Sequence, residues 1–272
     1  MIHRLLLTAL IVASPACDGS VLTSSDADTL QAASGSRQVA VWYRGSPQGQ
    51  PVLEDLAAIR AVGFSAIVWP GGSAESREAA RRMGEVAGLA VFAPGGPNGP
   101  APGEIVRIVV AGQSPDRIAA LAWRHVQEQA PVIAFDPGVA VGPGLEDSTG
   151  QQQPWVAPAR AIARQLSINA TLFDQLQPGP PVVVKTGASD LQVSLFQTPR
   201  SWVLLATNLD GHARRVDVDL PPAVPAALWA SLLDGSGMSM LSRPTGPLWR
   251  EEIPGPGVVV YLIDKASDGL YP

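Results

Sequence analysis

Between Val39 and Lys185 short apolar runs alternate with stretches whose apolar residues recur every three or four positions, the mark of strands alternating with amphipathic helices. The run VAVWY (39–43) reads as a strand, and Pro51 to Val62 as a helix with Val52, Leu56 and Ile59 on one face, Pro near its start and Gly63 at its end. SAIVW (65–69) is the next strand. Ser73 can cap a helix to about Ala87 whose inner face would use Ala79, Met83 and Val86, with Gly88 as its stop. LAVF (89–92) is a third strand, IVRIVV (105–110) a fourth, and Ser114-Pro115-Asp116 opens a helix that buries Ile118, Leu121, Ala122 and Val126. VIAF (132–135), a helix of roughly 158–177 carrying Ile162, Leu166, Phe173 and Leu176, and PVVV (181–184) complete the series. Six strands interleaved with helices predict a parallel sheet with right-handed crossovers.

After Lys185 the helical period disappears. LQVSL (191–195), WVLLAT (202–207), RVDVDL (215–220), AALWASL (226–232) and VVVYLI (258–263) are strand-like, several alternate with period two, and Asp210-Gly211 and Asp234-Gly235 mark turns. Residues 188–272 therefore read as an antiparallel β-sandwich domain following an α/β domain over 39–187.

Composition narrows the chemistry. The chain has 272 residues, 46% hydrophobic and 16% charged, with 27 Gly and 26 Pro, as in a compact, loop-rich protein with a sizeable core. Net charge is −5 and no basic stripe occurs, so no nucleic-acid partner is expected. The three histidines, His3, His125 and His212, are too few and too scattered for a His-based metal site or a serine triad. Neither Lys185 nor Lys265 follows a phosphate-cradling loop, and neither G-x-G-x-x-G nor G-x-S-x-G is present. No cofactor and no metal are expected; carboxylates, arginines and aromatics remain.

The N-terminus has the build of an export signal. Met1 to Arg4 form a basic start, Leu5 to Ala13 an apolar run, and Ser14-Pro15-Ala16 supply small residues before Cys17, the chain's only cysteine. The run is too short to span a bilayer. Cys17 resembles the lipid-modified cysteine of bacterial lipoproteins, although Ser14 stands where Leu is usual and Pro15 is atypical. The expectation is a membrane-anchored lipoprotein of the bacterial envelope, or a periplasmic or secreted protein if Cys17 is not lipidated. With one cysteine no intramolecular disulfide can form. Residues 18–38, rich in Ser, Ala, Asp and Gly, read as a flexible tether.

Three strings, VWYRG (41–45), DLAAIRAVGFSAIVWP (55–70) and GLAVFAPGG (88–96), resemble the opening strands of the (β/α)8 barrel of glycoside hydrolases. LAWRHV (121–126), VIAFDPG (132–138) and PWVAPARAIARQLSINATLF (154–173) are similar to the closing strands and last helix of such barrels. VLLATNLDGHARRVDVDLP (203–221) with ALWASLLDG (227–235) resembles the β-sandwich that often follows them. A full barrel needs eight strands and about 200–250 residues. Residues 39–185 hold six candidates, and Ala93–Gly103, where eight of eleven residues are Gly or Pro, stands in place of the middle strands. The fold implied is a reduced, incomplete TIM-barrel-like domain followed by an antiparallel β-sandwich.

The resemblance implies a glycan partner and, if hydrolysis survives, two carboxylates about 5–10 Å apart at the C-terminal mouth of the strands. Strand ends place Arg44, Trp69, Phe92, Gln113, Asp136 and Lys185 there. Asp136 is the only acid among them, and Glu146 or Asp147 on the following loop is the only available partner. In the alternative reading Asp136 bonds the loop backbone or an arginine, and Glu146 and Asp147 are solvated turn residues. Trp42, Tyr43, Trp69 and Phe92 could stack on sugar rings while Arg44 bonds hydroxyls, or alternate rings could pack under the helices. Trp123 is expected in the core, His125 as a partnered residue on a helix face, Trp155 either in the cleft or as a staple at the start of the last helix, and Asn169 in a side-chain hydrogen bond. Two functions follow: an exported glycosidase using Asp136 and Glu146, or a non-catalytic envelope protein that binds or scaffolds glycans on the same degenerate fold.

Overall fold

A computed structural model describes residues 37–46, 48–94, 104–185, 189–224, 229–231, 239–241 and 248–265. Cys17, the leader and nearly all of the expected tether lie outside them. The described residues belong to one compact unit.

Five parallel strands form the first sheet: β1 (Gln38–Trp42), β2 (Ala66–Val68), β3 (Ala90–Phe92), β4 (Ile105–Val109) and β5 (Val132–Asp136), in the order β3-β2-β1-β5-β4. The first and last strands of the series are thus neighbours, as in a barrel, while β3 and β4 are the outer strands among the described residues. Helices α1 (Leu53–Val62), α2 (Ala74–Ala87), α3 (Pro115–Gln127) and α4 (Val156–Ile168) bury one face of this sheet. Val41, Tyr43, Ile67, Trp69, Ile133 and Phe135 meet Leu56, Ile59, Ile118, Val126 and Ile162 in the main core. The opposite face carries Ala40, Ala66, Val68, Val132 and Ala134, with Trp42, Phe92 and Ile105 packed against them.

Local chemistry accounts for the helix limits. The Ser73 and Ser114 hydroxyls accept the backbone N–H groups of Ser76 (3.1 Å) and Arg117 (3.3 Å), and Gly63 and Gly88 end α1 and α2 in left-handed geometry. The buried stripe of α2 is Ser76, Ala80 and Gly84, whereas Val86 is 75% exposed, correcting the expected Ala79-Met83-Val86 face. Small side chains let α2 approach β3, and Met83 reaches the core only from the flank. The expected helix over 158–177 starts earlier and breaks at Asn169, whose side-chain amide donates to the Gln165 carbonyl (3.0 Å); a short α5 (Ala170–Asp174) follows.

The sixth expected parallel strand is a correction. β6 (Gln177–Pro178) and β7 (Val183–Val184) leave the parallel sheet and join two antiparallel ones, because Pro178, Pro180 and Pro181 lack the N–H donors an inner strand needs. Their other strands are β8 (Leu191–Gln197), β9 (Ser201–Asn208), β10 (Arg214–Asp219), β11 (Trp229–Ser231), β12 (Ser239–Leu241), β13 (Leu248–Ile253) and β14 (Gly257–Asp264). The larger sheet has the order β12-β11-β14-β9-β8-β6 and the smaller β13-β10-β7. Leu204, Val216, Val218, Trp249, Ile253 and Ile263 form a second core between them.

The two parts share a core. Phe196, Val203, Leu205 and Val260 belong to the cluster that includes the helices, and α3 lies on β9 and β14. Polar contacts reinforce this junction: Arg124 donates to the Thr207 hydroxyl (2.7 Å) and to the Asp190 carbonyl (2.8 Å), and Arg117 to the Leu209 carbonyl (2.7 Å).

Candidate functional site

The C-terminal ends of β1, β4 and β5 bring two arginines onto one aspartate. Strand pairing sets Val109 beside Asp136 and Arg107 beside Ala134, so period-two alternation aims Arg107 and Asp136 at the sheet face away from the helices, together with Trp42. Arg44, just past β1, donates from Nη1 to Asp136 Oδ1 and from Nη2 to Oδ2, both at 3.1 Å, and from Nη1 to the Val139 carbonyl at 2.7 Å. Arg107 donates from Nε to Oδ2 at 2.6 Å, with its Nη2 on the same oxygen, and the Gly138 N–H reaches Oδ1 at 2.8 Å.

The carboxylate is enclosed and the cations are not. The Asp136 side chain is 0% exposed, those of Arg44 and Arg107 29% and 45%. Burial alone would raise the Asp136 pKa. The hydrogen bonds from Arg44, Gly138 and Arg107, with the Arg44 charge, outweigh it and hold the carboxyl below its ordinary range. Such a group stays ionised at neutral pH, touches no solvent and has its lone pairs engaged. It holds both arginines at the end of the sheet.

Glu146 is not among the contacts of Asp136. Leu145 is buried and the Gln153 N–H donates to its carbonyl at 2.8 Å, which turns Glu146 outward, exposed and bridged to Gln152. Asp147 serves its own turn, accepting from the Thr149 hydroxyl (2.6 Å) and from the N–H groups of Thr149 (2.8 Å) and Gln151 (3.0 Å), which lower its pKa. Asp136, the expected catalytic carboxylate, is thus enclosed, while Glu146, its expected partner, is exposed on the following loop.

The aromatics separate into two groups. Tyr43 and Trp69 are buried, correcting their expected role as stacking surfaces. Tyr43 donates to Asp55 (2.8 Å) and accepts from the Val52 N–H (3.0 Å), and burial together with Asp55 raises its pKa well above the usual phenol range. Trp69 lies 5.5 Å from it, ring to ring. Gly45 has φ +75°, and a Cβ there would come within 2.6 Å of the Trp69 indole, so the β1 turn has room for this ring only as glycine. Trp42 and Phe92 are half-buried on the opposite face, in register through Val68. The Arg107 guanidinium sits 4.8 Å over the Trp42 ring.

The other residues singled out from sequence are structural. Trp123 packs on Phe173 at 5.8 Å, Trp155 stacks on Phe135 at 6.2 Å and donates to the Gly144 carbonyl (3.1 Å), and His125 contacts Glu128 at 2.8 Å. Arg107 was not anticipated. Its signal was the single charge inside IVRIVV, which demands an acidic partner on an adjacent strand. Among the described residues no group of three or more His, Cys, Asp or Glu is placed to hold a metal, and no helix is long and apolar enough to cross a membrane.

No protein-family description and no curated protein matches the chain. Solved structures similar to it include a family 30 subfamily 8 xylanase from Clostridium acetobutylicum, with 11% identity and TM-score 0.37 over 78% of this chain and 59% of that one. A putative α-galactosidase from Bacteroides fragilis shows 8% identity and TM-score 0.41, covering 85% and 62%. A family 27 β-L-arabinopyranosidase from Geobacillus stearothermophilus shows 10% and 0.39, covering 78% and 61%. These neighbours are glycoside hydrolases. The chain spans less than two thirds of the length of each.

Proposed function

We propose that this protein binds a glycan at the mouth of its five-stranded sheet without cleaving it. The observation that carries the reading is the state of Asp136, fully buried and ion-paired to both Arg44 and Arg107. Glycoside hydrolysis needs one carboxyl that gives up a proton and another that reaches the sugar or a water. The enclosure of Asp136 and its engagement by both arginines argue against either role, and Glu146 is exposed on the loop beyond it. Trp42, Phe92, Arg44 and Arg107, by contrast, combine half-buried apolar rings with partly exposed guanidinium groups, the pairing that sugars require. The resemblance of the strand segments to barrel glycosidases supports the carbohydrate class.

Export and a lipid anchor on Cys17 are part of the same proposal, which places the protein in the bacterial envelope. Metabolic labelling with a palmitate analogue should mark the native protein and not Cys17→Ser. For the binding function, a glycan array probed with the full chain should return binders, while the same glycans incubated with high protein concentrations should yield no reducing ends. Release of reducing ends that Asp136→Asn abolishes would overturn the non-catalytic reading.

A further inference from the structure

Two guanidinium cations share a single carboxylate at this mouth, and the charge they leave over sits in a chain of net charge −5. An arginine offers five N–H donors in a planar fork. Arg107 commits its Nε and one Nη2 hydrogen to Asp136, and its Nη1 meets no partner among the described residues. The Nη1/Nη2 edge, which fits a carboxylate end-on, is therefore unused. No second acidic side chain pairs with either arginine among the described residues.

The open edge is also held in place. Asp136 grips Arg107 from one side, and the Trp42 ring beneath it at 4.8 Å restricts the guanidinium plane. A fixed guanidinium loses less freedom on forming a two-point contact than a solvated side chain does. Apolar side chains share this sheet face: Val109, 48% exposed, follows Arg107 by two residues on the same strand, and Phe92 is half-buried on the far outer strand. A neutral sugar would leave the excess cation unmatched. A planar, two-oxygen anion on a ring with apolar C–H faces would satisfy both surfaces.

We infer that the unused edge of Arg107, backed by Arg44, takes the carboxylate of an acidic sugar, so that the ligand is a uronate-containing glycan. This rests on the glycan-binding reading above. Arg107 is the specificity-determining residue, Arg44 and Asp136 position it, and Trp42 sets its plane.

The test compares ligands that differ only in charge. Isothermal titration of the full chain with oligogalacturonate, oligoglucuronate and alginate fragments, each against its methyl ester, should show the free acid of at least one pair binding tenfold or more tightly than the ester. Raising NaCl from 20 to 300 mM should shrink that ratio, since the half-exposed cation is screened. Arg107→Gln should bring acid and ester to equal affinity; because the wild-type comparison needs no variant, the inference is testable even if that substitution impairs folding. Equal binding of acid and ester by the wild type would overturn the uronate assignment and leave glycan binding standing. Absence of binding to these acids, their esters and neutral oligosaccharides alike would overturn both.

Discussion

Arg44 and Asp136 meet through two hydrogen bonds of equal length, Nη1 to Oδ1 and Nη2 to Oδ2 at 3.1 Å, which tie the end of β1 to the end of β5. These are the first and last strands of the parallel series, and the pair closes their junction at the mouth. The Val139 carbonyl on the same Nη1 and the Gly142 N–H on the Gly45 carbonyl, each within 2.8 Å, extend the tie to the loop after β5.

Asp136→Asn should therefore act on stability. Removing one partner of a buried pair costs about 3–5 kcal/mol, and the water contact of both arginines puts this case near 3 kcal/mol. Urea denaturation of the variant checks the value, and an unchanged midpoint would show that the carboxylate holds nothing together.

The pH dependence has a definite sign. The folded pKa of Asp136 lies below the ordinary 3.8, so its stabilisation is complete above that value and is lost as pH falls through the lower folded one. Between pH 5 and pH 2 the wild type should lose more stability than Asp136→Asn, whose amide does not titrate. Parallel acid limbs for the two proteins would contradict the depressed pKa.

Trp69 and Trp42 should behave as opposites. Trp69→Ala empties a fully buried site and should cost about 3–5 kcal/mol, with ligand affinity retained below the lowered melting temperature. Trp42→Ala, at a half-buried ring, should cost less stability but loosen Arg107 and weaken glycan binding. Titration below the melting point of each variant separates the two; a loss of affinity confined to Trp69→Ala would reverse the assignment.

This contrast shows which parts of the site were legible in the sequence. The alternation of VAVWY and SAIVW located the strands, but the face on which Trp42, Tyr43 and Trp69 emerge depends on which side the helices cover. Both faces of this sheet bury apolar residues, so hydropathy does not mark the side. Asp136 was legible as a strand-end acid, while its neutralisation required Arg107, three residues into a different strand and brought beside β5 only by the parallel register. In the antiparallel part, LWREEI (248–253) carries three charges that mask a strand. β13 forms because Arg250 pairs across to Asp217 and Tyr261 donates to Glu251 at 2.6 Å.

Gly84→Ala tests the close approach of α2. In an exposed helix the change would stabilise by about 1 kcal/mol. Here the added Cβ would collide with Val91 Cγ2 and lie 3.1 Å from the Leu89 carbonyl, so a net loss of about 1–3 kcal/mol is expected. Val91→Ala introduced alongside should recover part of it, because the side-chain collision disappears while the carbonyl contact persists. A stabilised single variant would mean that α2 is free to shift outward.

The junction between the α/β part and the antiparallel sheets is held by a buried polar exchange at Gln127 and Thr207. The Thr207 hydroxyl donates to Gln127 Oε1 at 2.9 Å and accepts from Arg124 at 2.7 Å, while the Gln127 amide donates to the Ser194 hydroxyl (2.9 Å) and the Leu205 carbonyl (3.2 Å). Gln127 is 4% exposed and Thr207 0%, so neither can turn to water. Thr207→Val strands Gln127 Oε1 and the Arg124 Nε, and Gln127→Leu strands the Thr207 and Ser194 hydroxyls; each should cost about 1–3 kcal/mol. The double variant removes both members of the central bond, so its loss should fall short of the sum of the single losses by at least about 0.5 kcal/mol. Additive losses would show that the hydrogen bond contributes nothing beyond shape. Because Leu205 and Val203 join the helical core, the wild type should unfold in one transition by both near-ultraviolet and far-ultraviolet circular dichroism. Two separated transitions would mean that the antiparallel sheets fold independently of α3, in which case neither substitution should alter the melting of the α/β part.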